Sequence, residues 1–370
     1  MNGTYACSEC GAKLTREEAQ EFDGQIYCED CLNEFTTLCD CCSTRIWRDN
    51  AEGDGSITLC SHCYEDRYTT CEDCGCLIPT NDTYYDDMSD YPYCERCYRR
   101  LQSNPIKAYS YKPDPIFYGS DSLFLGVELE IDKGGENTDN AEILMNIGNS
   151  NAKHIYAKHD GSIHNGFEIV SHPMTLDYHK NEMPWKSVFE KALDLHYCSH
   201  NTTTCGLHIH CNRDAFGETR EEQEIVIGRI LFFIEAHWNE LVRFSRRKPE
   251  MLARWAARYA TISSTTHETF KKAKDKRMGR YVALNLENFD TIEFRFFRGT
   301  LRYESFIAAL QLVHEICYAA MSMTDWEMES LSWSDFVLGI DKEKYPELIE
   351  YLKSKRLYIN EITEEDREEM

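Results

Sequence analysis

A chain of 370 residues is long enough for two or three domains, at least one of them enzyme-sized. Its formal charge is −24, and the first hundred residues hold eight Lys and Arg against twenty-one Asp and Glu, a balance that repels phosphate backbones and argues against nucleic acid as a partner. No apolar run of about 18 residues and no basic, apolar leader occurs, which argues against a membrane and for a soluble, cytoplasmic protein.

Fourteen of the eighteen cysteines lie before residue 98. Their spacing repeats: Cys7-x2-Cys10-x17-Cys28-x2-Cys31, Cys39-x2-Cys42-x17-Cys60-x2-Cys63 and Cys71-x2-Cys74-x19-Cys94-x2-Cys97, with the first cysteine recurring every 32 residues. Two facing pairs supply four soft thiolates, a closed tetrahedral shell that suits structural Zn2+ and leaves no position open for substrate; iron has the same ligand preference. Cys41 and Cys76 fall outside the pattern and could exchange with their neighbours. A small residue follows each first pair (Gly11, Ser43, Gly75), an apolar one precedes each second pair (Tyr27, Leu59, Tyr93), and a short helix is predicted after it. The units resemble treble-clef or LIM-like half-modules, although the seven-residue gap from Cys31 to Cys39 departs from a LIM pair. Residues 1–102 are therefore predicted to be three tandem zinc ribbons that act as a scaffold or contact a protein partner.

The three prolines of residues 103–122 predict a linker. From 123 to 325, strand-like runs alternate with helical ones, predicting an α+β domain, and 326–370 reads as a C-terminal helical extension. Thr219 and Glu222 form a capping-box signature for a helix that buries Ile230, Phe233, Ile234, Trp238 and Leu241 and stops before Pro249. A second long helix is predicted through Phe306, Leu310, Val313 and Cys317.

Residues two apart in a strand share a face, and four segments carry ionisable groups on one face. Glu128 and Glu130 alternate with Val127 and Leu129; Glu168 stands in Gly166–Val170; His208 and His210 alternate with Leu207 and Ile209; Glu293 and Arg295 alternate with Ile292, Phe294 and Phe296. Each alone suits a half-solvated antiparallel strand. Together they predict one sheet face collecting carboxylates and imidazoles, whose repulsion a hard divalent cation, Mg2+ or Mn2+, would relieve.

The order Gly126-Val-Glu-Leu-Glu-Ile, Asp160-Gly-Ser-Ile with Gly166-Phe-Glu-Ile-Val-Ser-His-Pro, Gly206-Leu-His-Ile-His, Arg280-Tyr-Val-Ala-Leu-Asn and Thr291-Ile-Glu-Phe-Arg with Arg298-Gly-Thr-Leu resembles the amidoligase family. That family stands in the carboxylate–amine ligase superfamily, with glutamine synthetase and glutamate–cysteine ligase. The resemblance spans roughly 120–320. It implies a glutamine synthetase-like antiparallel sheet with helices forming a catalytic cavity. It further implies ATP-dependent amide formation through an acyl phosphate, on an amino-acid, peptide or protein substrate. Residue by residue, it implies that Glu128, Glu130, Glu168, one of His208 and His210, and Glu293 hold two Mg2+ or Mn2+ ions. Arg295, Arg298 and Arg280 would face phosphate, with Asn285 beside them.

Two other functions fit part of the pattern. His-x-His on a strand also serves zinc-dependent hydrolases, and a ribbon array fused to an inactive ligase-like domain would be a binding adaptor. Glu-x-Glu before the histidines and Glu-x-Arg after them favour the ligase.

Overall fold

The computed structural model describes residues 5–86, 89–200, 202–260, 262–263 and 265–358; the acidic tail from Glu361 lies outside them. The chain divides into two compact units, Met1–Asn104 and Pro105–Met370.

In the first unit one plan repeats three times. A hairpin carries the first cysteine pair (Tyr5–Ala6 with Lys13–Leu14 in the first repeat). A second hairpin (Gln20–Phe22 with Gln25–Tyr27) leads to the second pair, where a short helix starts. The three helices, Glu29–Phe35, Ser61–Arg67 and Glu95–Ser103, have Cys28, Cys60 and Cys94 as their N-cap residues. The thiols of Cys28 and Cys60 accept the N–H of Cys31 and Cys63, each at 3.4 Å. The small residue after each first pair now has its reason. Gly11, Ser43 and Gly75 sit at φ of 71°, 60° and 72°, and their N–H groups close a tight turn onto the carbonyls of Cys7, Cys39 and Cys71. A bulky β-branched side chain would be strained there. Tyr27 and Leu59, the apolar residues before the second pairs, are buried in the miniature cores under the knuckles.

The second unit is built on a seven-stranded sheet. Its strands are β1 (Ile106–Lys107), β2 (Leu125–Ile131), β3 (Ile155–Lys158), β4 (Phe167–Ser171), β5 (Gly206–Asn212), β6 (Leu284–Asn285) and β7 (Thr291–Arg298). The spatial order is β1-β3-β4-β2-β5-β7-β6, antiparallel throughout except for the β1–β3 pair. One face is apolar: Leu125, Val127, Leu129, Ile131, Ile169, Leu207, Ile209 and Phe294 are buried in a single large core. The helices that share this core are α1 (Thr138–Gly148), α2 (Leu176–Asn181), α3 (Trp185–Asp194), α4 (Arg220–Ala236), α5 (Trp238–Ser245), α6 (Pro249–Trp255), α7 (Thr266–Lys276), α8 (Tyr303–Ser322), α9 (Asp325–Ser330), α10 (Trp333–Gly339) and α11 (Pro346–Ser354). The fold is α+β, with the ionisable teeth of the strands left on the opposite face.

Three expectations change. The helix opened by the Thr219–Glu222 capping box does not run to Pro249 in one piece; it breaks at His237, whose Nε2 meets the Leu331 carbonyl at 3.1 Å and whose ring packs on Phe233. The 103–122 segment is not a free linker, because Ile106–Lys107 pairs with Ala157–Lys158 and Tyr118 bridges to Met174. The residues after 326 are not an appendage either: Trp333, Phe336, Leu348 and Leu352 are buried in the same core as the sheet. Helix α8 is long and apolar enough to cross a membrane, yet 72% of its apolar window is buried inside the protein, where it serves as the central core helix.

Candidate active site

Register decides which side chains meet. Across the sheet Lys158 opposes Glu168, Glu168 opposes Glu130, Glu128 opposes His208, His210 opposes Glu293, and Glu293 opposes Asn285. Directly opposed residues share a face, so one polar face on six strands carries all of these groups. A bulge adjusts it: Leu207 faces Phe297 but Ile209 faces Phe294, which sets one extra residue of β7 opposite His208.

All four expected carboxylates converge, together with both histidines of the alternative pair. His208 Nδ1 lies 3.4 Å from Glu128 Oε2 and 3.5 Å from Glu293 Oε1, and its Nε2 lies 3.9 Å from Glu130 Oε1. His210 Nε2 is 3.3 Å from Glu128 Oε1 and 3.9 Å from Glu293 Oε1. Ligand atoms of Glu128, His210 and Glu293 lie within 4.8 Å of one another, as do those of Glu128, Glu168 and His208; the two triads share Glu128. His210 Nδ1 is taken up by the Thr291 hydroxyl at 3.2 Å, which leaves Nε2 turned toward Glu128 and Glu293. Oxygen-rich, with an imidazole at each centre, this set fits Mg2+ or Mn2+.

Without a cation the electrostatics conflict. Burial raises Glu168 well above the ordinary carboxyl range, the charges of Glu128 and Glu130 push it further, and Lys158, 3.9 Å away, offsets only part. Burial also raises Glu130, against the pull of His208 and of the Gly206 N–H, which donates to its Oε2 at 2.6 Å. Glu128 would follow, but the His210 charge and hydrogen bonds from both imidazoles hold it well below the usual range. Burial lowers His210, and the charges of Glu128 and Glu293 more than reverse this.

The remaining expected residues divide. Arg295 Nη1 donates to Glu293 Oε1, and Asn285 Nδ2 donates to Glu293 Oε2 at 2.8 Å, so Asn285 positions a ligand. Arg280 stands further out, donating to the hydroxyls of Tyr109 at 2.6 Å and Tyr281 at 3.0 Å. Arg298 does not join them and lines a separate cavity. Arg213 is structural, its guanidinium spent on the carbonyls of Leu286, Asn288 and Thr291. Cys205 and Cys211 are buried, and Cys211 packs against Cys317.

Sequence reasoning missed four neighbours. Tyr156 and Lys158 occupy the polar face of β3, in the alternation Ile155-Tyr-Ala-Lys that any half-solvated strand also carries. Arg247 is buried between the Arg295 carbonyl, 2.6 Å away, and the Thr204 carbonyl, a placement that no periodicity marks. Tyr109 follows β1 at one edge of the sheet, yet it contacts Lys158 (5.3 Å to the ring centroid) and, near the far edge, Arg280. Segments leaving the two edges of the sheet thus meet at Tyr109 and Arg280.

In the first unit, the sulfurs of Cys7, Cys10, Cys28 and Cys31 cluster, as do those of Cys39, Cys42, Cys60 and Cys63. Cys10 and Cys28 Sγ are 3.8 Å apart, as are Cys42 and Cys60. A tetrahedral Zn–S bond of about 2.3 Å sets sulfurs roughly 3.8 Å apart, so the clusters fit zinc. In the third repeat Cys71, Cys74 and Cys94 cluster with Cys76, while the buried Cys97 thiol also sits against Cys94, Cys74 and Cys71 as well as Asp73, so the exchange expected of Cys76 is open there.

No curated protein matches the chain. The family model described as "Putative amidoligase enzyme" matches residues 146–317, a little under half of the chain, so β4, β5 and β7 with Glu168, His208, His210 and Glu293 lie in an amidoligase-type segment, while Glu128 and Glu130 reach the site from just outside it.

Proposed function

We propose that the Pro105–Met370 unit is an ATP-dependent carboxylate–amine ligase with a glutamine synthetase-like arrangement of sheet and helices, and that the ribbons bind Zn2+ and recruit a protein partner or the substrate. The observation that carries the reading is the convergence of Glu128, Glu130, Glu168, His208, His210 and Glu293 on one face of the sheet. A carboxylate does not react with an amine until its oxygen attacks the γ-phosphorus of ATP and ADP leaves. The amine nitrogen then attacks the acyl carbon, phosphate departs, and the amine gives up a proton. Bound at the two triads, Mg2+ or Mn2+ would neutralise phosphate charge.

The chain's own groups supply the rest. Glu128, common to both triads, would be a ligand in either, Asn285 and Arg295 fix the rotamer of Glu293, and Arg295 presents a guanidinium beside the cluster to charge on the transferring phosphoryl group. Glu168, whose proton affinity burial and the neighbouring carboxylates raise, would give up a bound proton as cations enter. Free thiolates in the ribbons suit a reducing, cytoplasmic location.

The test is ADP formation by the full chain with Mg2+ against a panel of carboxylates and amines. Turnover should require both, and the product should weigh one water less than its two parents. Hydrolysis proceeding without nucleotide would overturn the reading in favour of a metal-dependent hydrolase, and a complete absence of ATP turnover across the panel would favour an adaptor.

A further inference from the structure

A cavity of about 480 Å3 opens where β7 ends and α8 begins, and none of Glu128, Glu130, Glu168, His208, His210 or Glu293 lines it. Cations do. Arg298 closes β7, Arg246 follows α5 in a left-handed turn at φ 55°, Arg302 precedes the first turn of α8, and Lys186 stands on the rim; His200 also lines it, its protonation disfavoured by burial and by the charges of Arg298 and Arg246. Two acids also line it, Glu190 and Glu304, and Glu304 is engaged by Arg302 at 3.3 Å. Among the described residues no carboxylate pairs with Arg246 or Arg298. The neutral hydroxyl of Tyr351 bonds Arg246, and Lys355 adds another cation nearby.

Mutually repelling guanidiniums at one cavity are unusual in a chain of charge −24, which has acids to spare. The arrangement is the mirror image of the acidic cluster on the sheet: like charges held together need a counter-ion. Two features fit that counter-ion to the cavity. Arg302, the N-cap of the twenty-residue α8, offers no side-chain cap, so the first-turn amides of Tyr303, Glu304 and Ser305 point their dipole toward the cavity that these residues line. Arg246, Arg298, Thr300 and Ser305 also line a small adjoining pocket whose other walls include Leu207, Phe244 and Phe297, and apolar walls beside guanidiniums sharpen their field. The volume suits a small molecule and not a polymer.

We propose that this cavity binds a small phosphorylated anion at a site separate from the carboxylate cluster, with Arg246 and Arg298 gripping phosphoryl oxygens in forked hydrogen bonds and the α8 amides facing the same group. The assignment does not depend on the ligase reading. Titration calorimetry of the full chain with inorganic pyrophosphate, in the absence of ATP and of added Mg2+ or Mn2+, tests it. Saturable one-to-one binding is expected. Arg246→Gln and Arg298→Gln should each weaken it on the order of tenfold or more, and Glu128→Gln should bind as the parent chain does. Citrate in a second series reports whether a polycarboxylate serves as well; tighter binding of citrate than of pyrophosphate would overturn the phosphoryl assignment. No saturable heat, binding that survives both arginine substitutions, or binding lost in Glu128→Gln would overturn the site. Should Arg298→Gln fold poorly by its thermal midpoint, Arg302→Gln carries the same test.

Discussion

Glu128 belongs to both ligand triads, so its loss should cost more than that of any other side chain at the site. Glu128→Gln keeps the shape and removes the charge; ATP turnover should fall at least about a hundredfold, with zinc content by atomic absorption unchanged. A second prediction concerns protons. Glu168 is raised and His210 is raised, so below their shifted values both carry protons that a cation must displace. Apparent Mn2+ affinity, read by titration at a series of pH values, should therefore climb as pH rises. For the cation-free fold the sign is opposite. A carboxyl raised on folding contributes stability only while protonated, so the Glu168 contribution is lost as pH climbs from the ordinary carboxyl value through the raised one. Most of these residues were legible because acids on an apolar strand are conspicuous. Arg247 was not, since a buried arginine after a helix looks like any surface cation until its partners, the carbonyls of Arg295 and Thr204, are seen.

Elements bring the side chains into register, and two glycines test this separately. A Cβ at Gly166 would stand 1.9 Å from the Ile131 carbonyl oxygen and 2.7 Å from Asp132 Cα, both backbone atoms that cannot turn aside. Gly166→Ala should lower stability by about 1–3 kcal/mol in urea unfolding, as overpacking does. At Gly206 the added carbon would meet His208 Nε2 at 2.9 Å and Arg247 Nη1 at 3.3 Å, flexible tips and not backbone. Gly206→Ala should leave the unfolding midpoint nearly unchanged while weakening Mn2+ binding, because the imidazole must swing away. The alternating strands were readable because their period is two and one face is fully buried. β1 was not: two residues after Pro105 offer no period, and its pairing with β3 depends on contacts far along the chain. The break at His237 was hidden for a related reason, since apolar spacing continues through it and only the Leu331 carbonyl reveals the turn.

At the scale of the whole molecule, two kinds of cohesion operate. The Met1–Asn104 unit has small cores of a few residues each around its cysteines, whereas the Pro105–Met370 unit encloses one extensive apolar core. A domain with so little to bury depends on its metal. A strong zinc chelator should unfold the first unit and leave the second standing, visible as loss of one calorimetric transition and retention of the other. Cys28→Ser alone should release one zinc equivalent. The repeat was legible to the residue in two of the three modules; in the third, the exchange that the sequence leaves open for Cys76 has a physical basis, its sulfur lying 3.4 Å from that of Cys74.

The strap from Ile106 to Tyr118 bears on where the protein can be cut. An excised catalytic fragment that starts at residue 119 would leave the rim of β3 bare, inviting other chains to add strands there, and would discard Tyr109, which joins Lys158 to Arg280. A fragment starting at Pro105 keeps both, so the safe scissor point is the bond after Asn104.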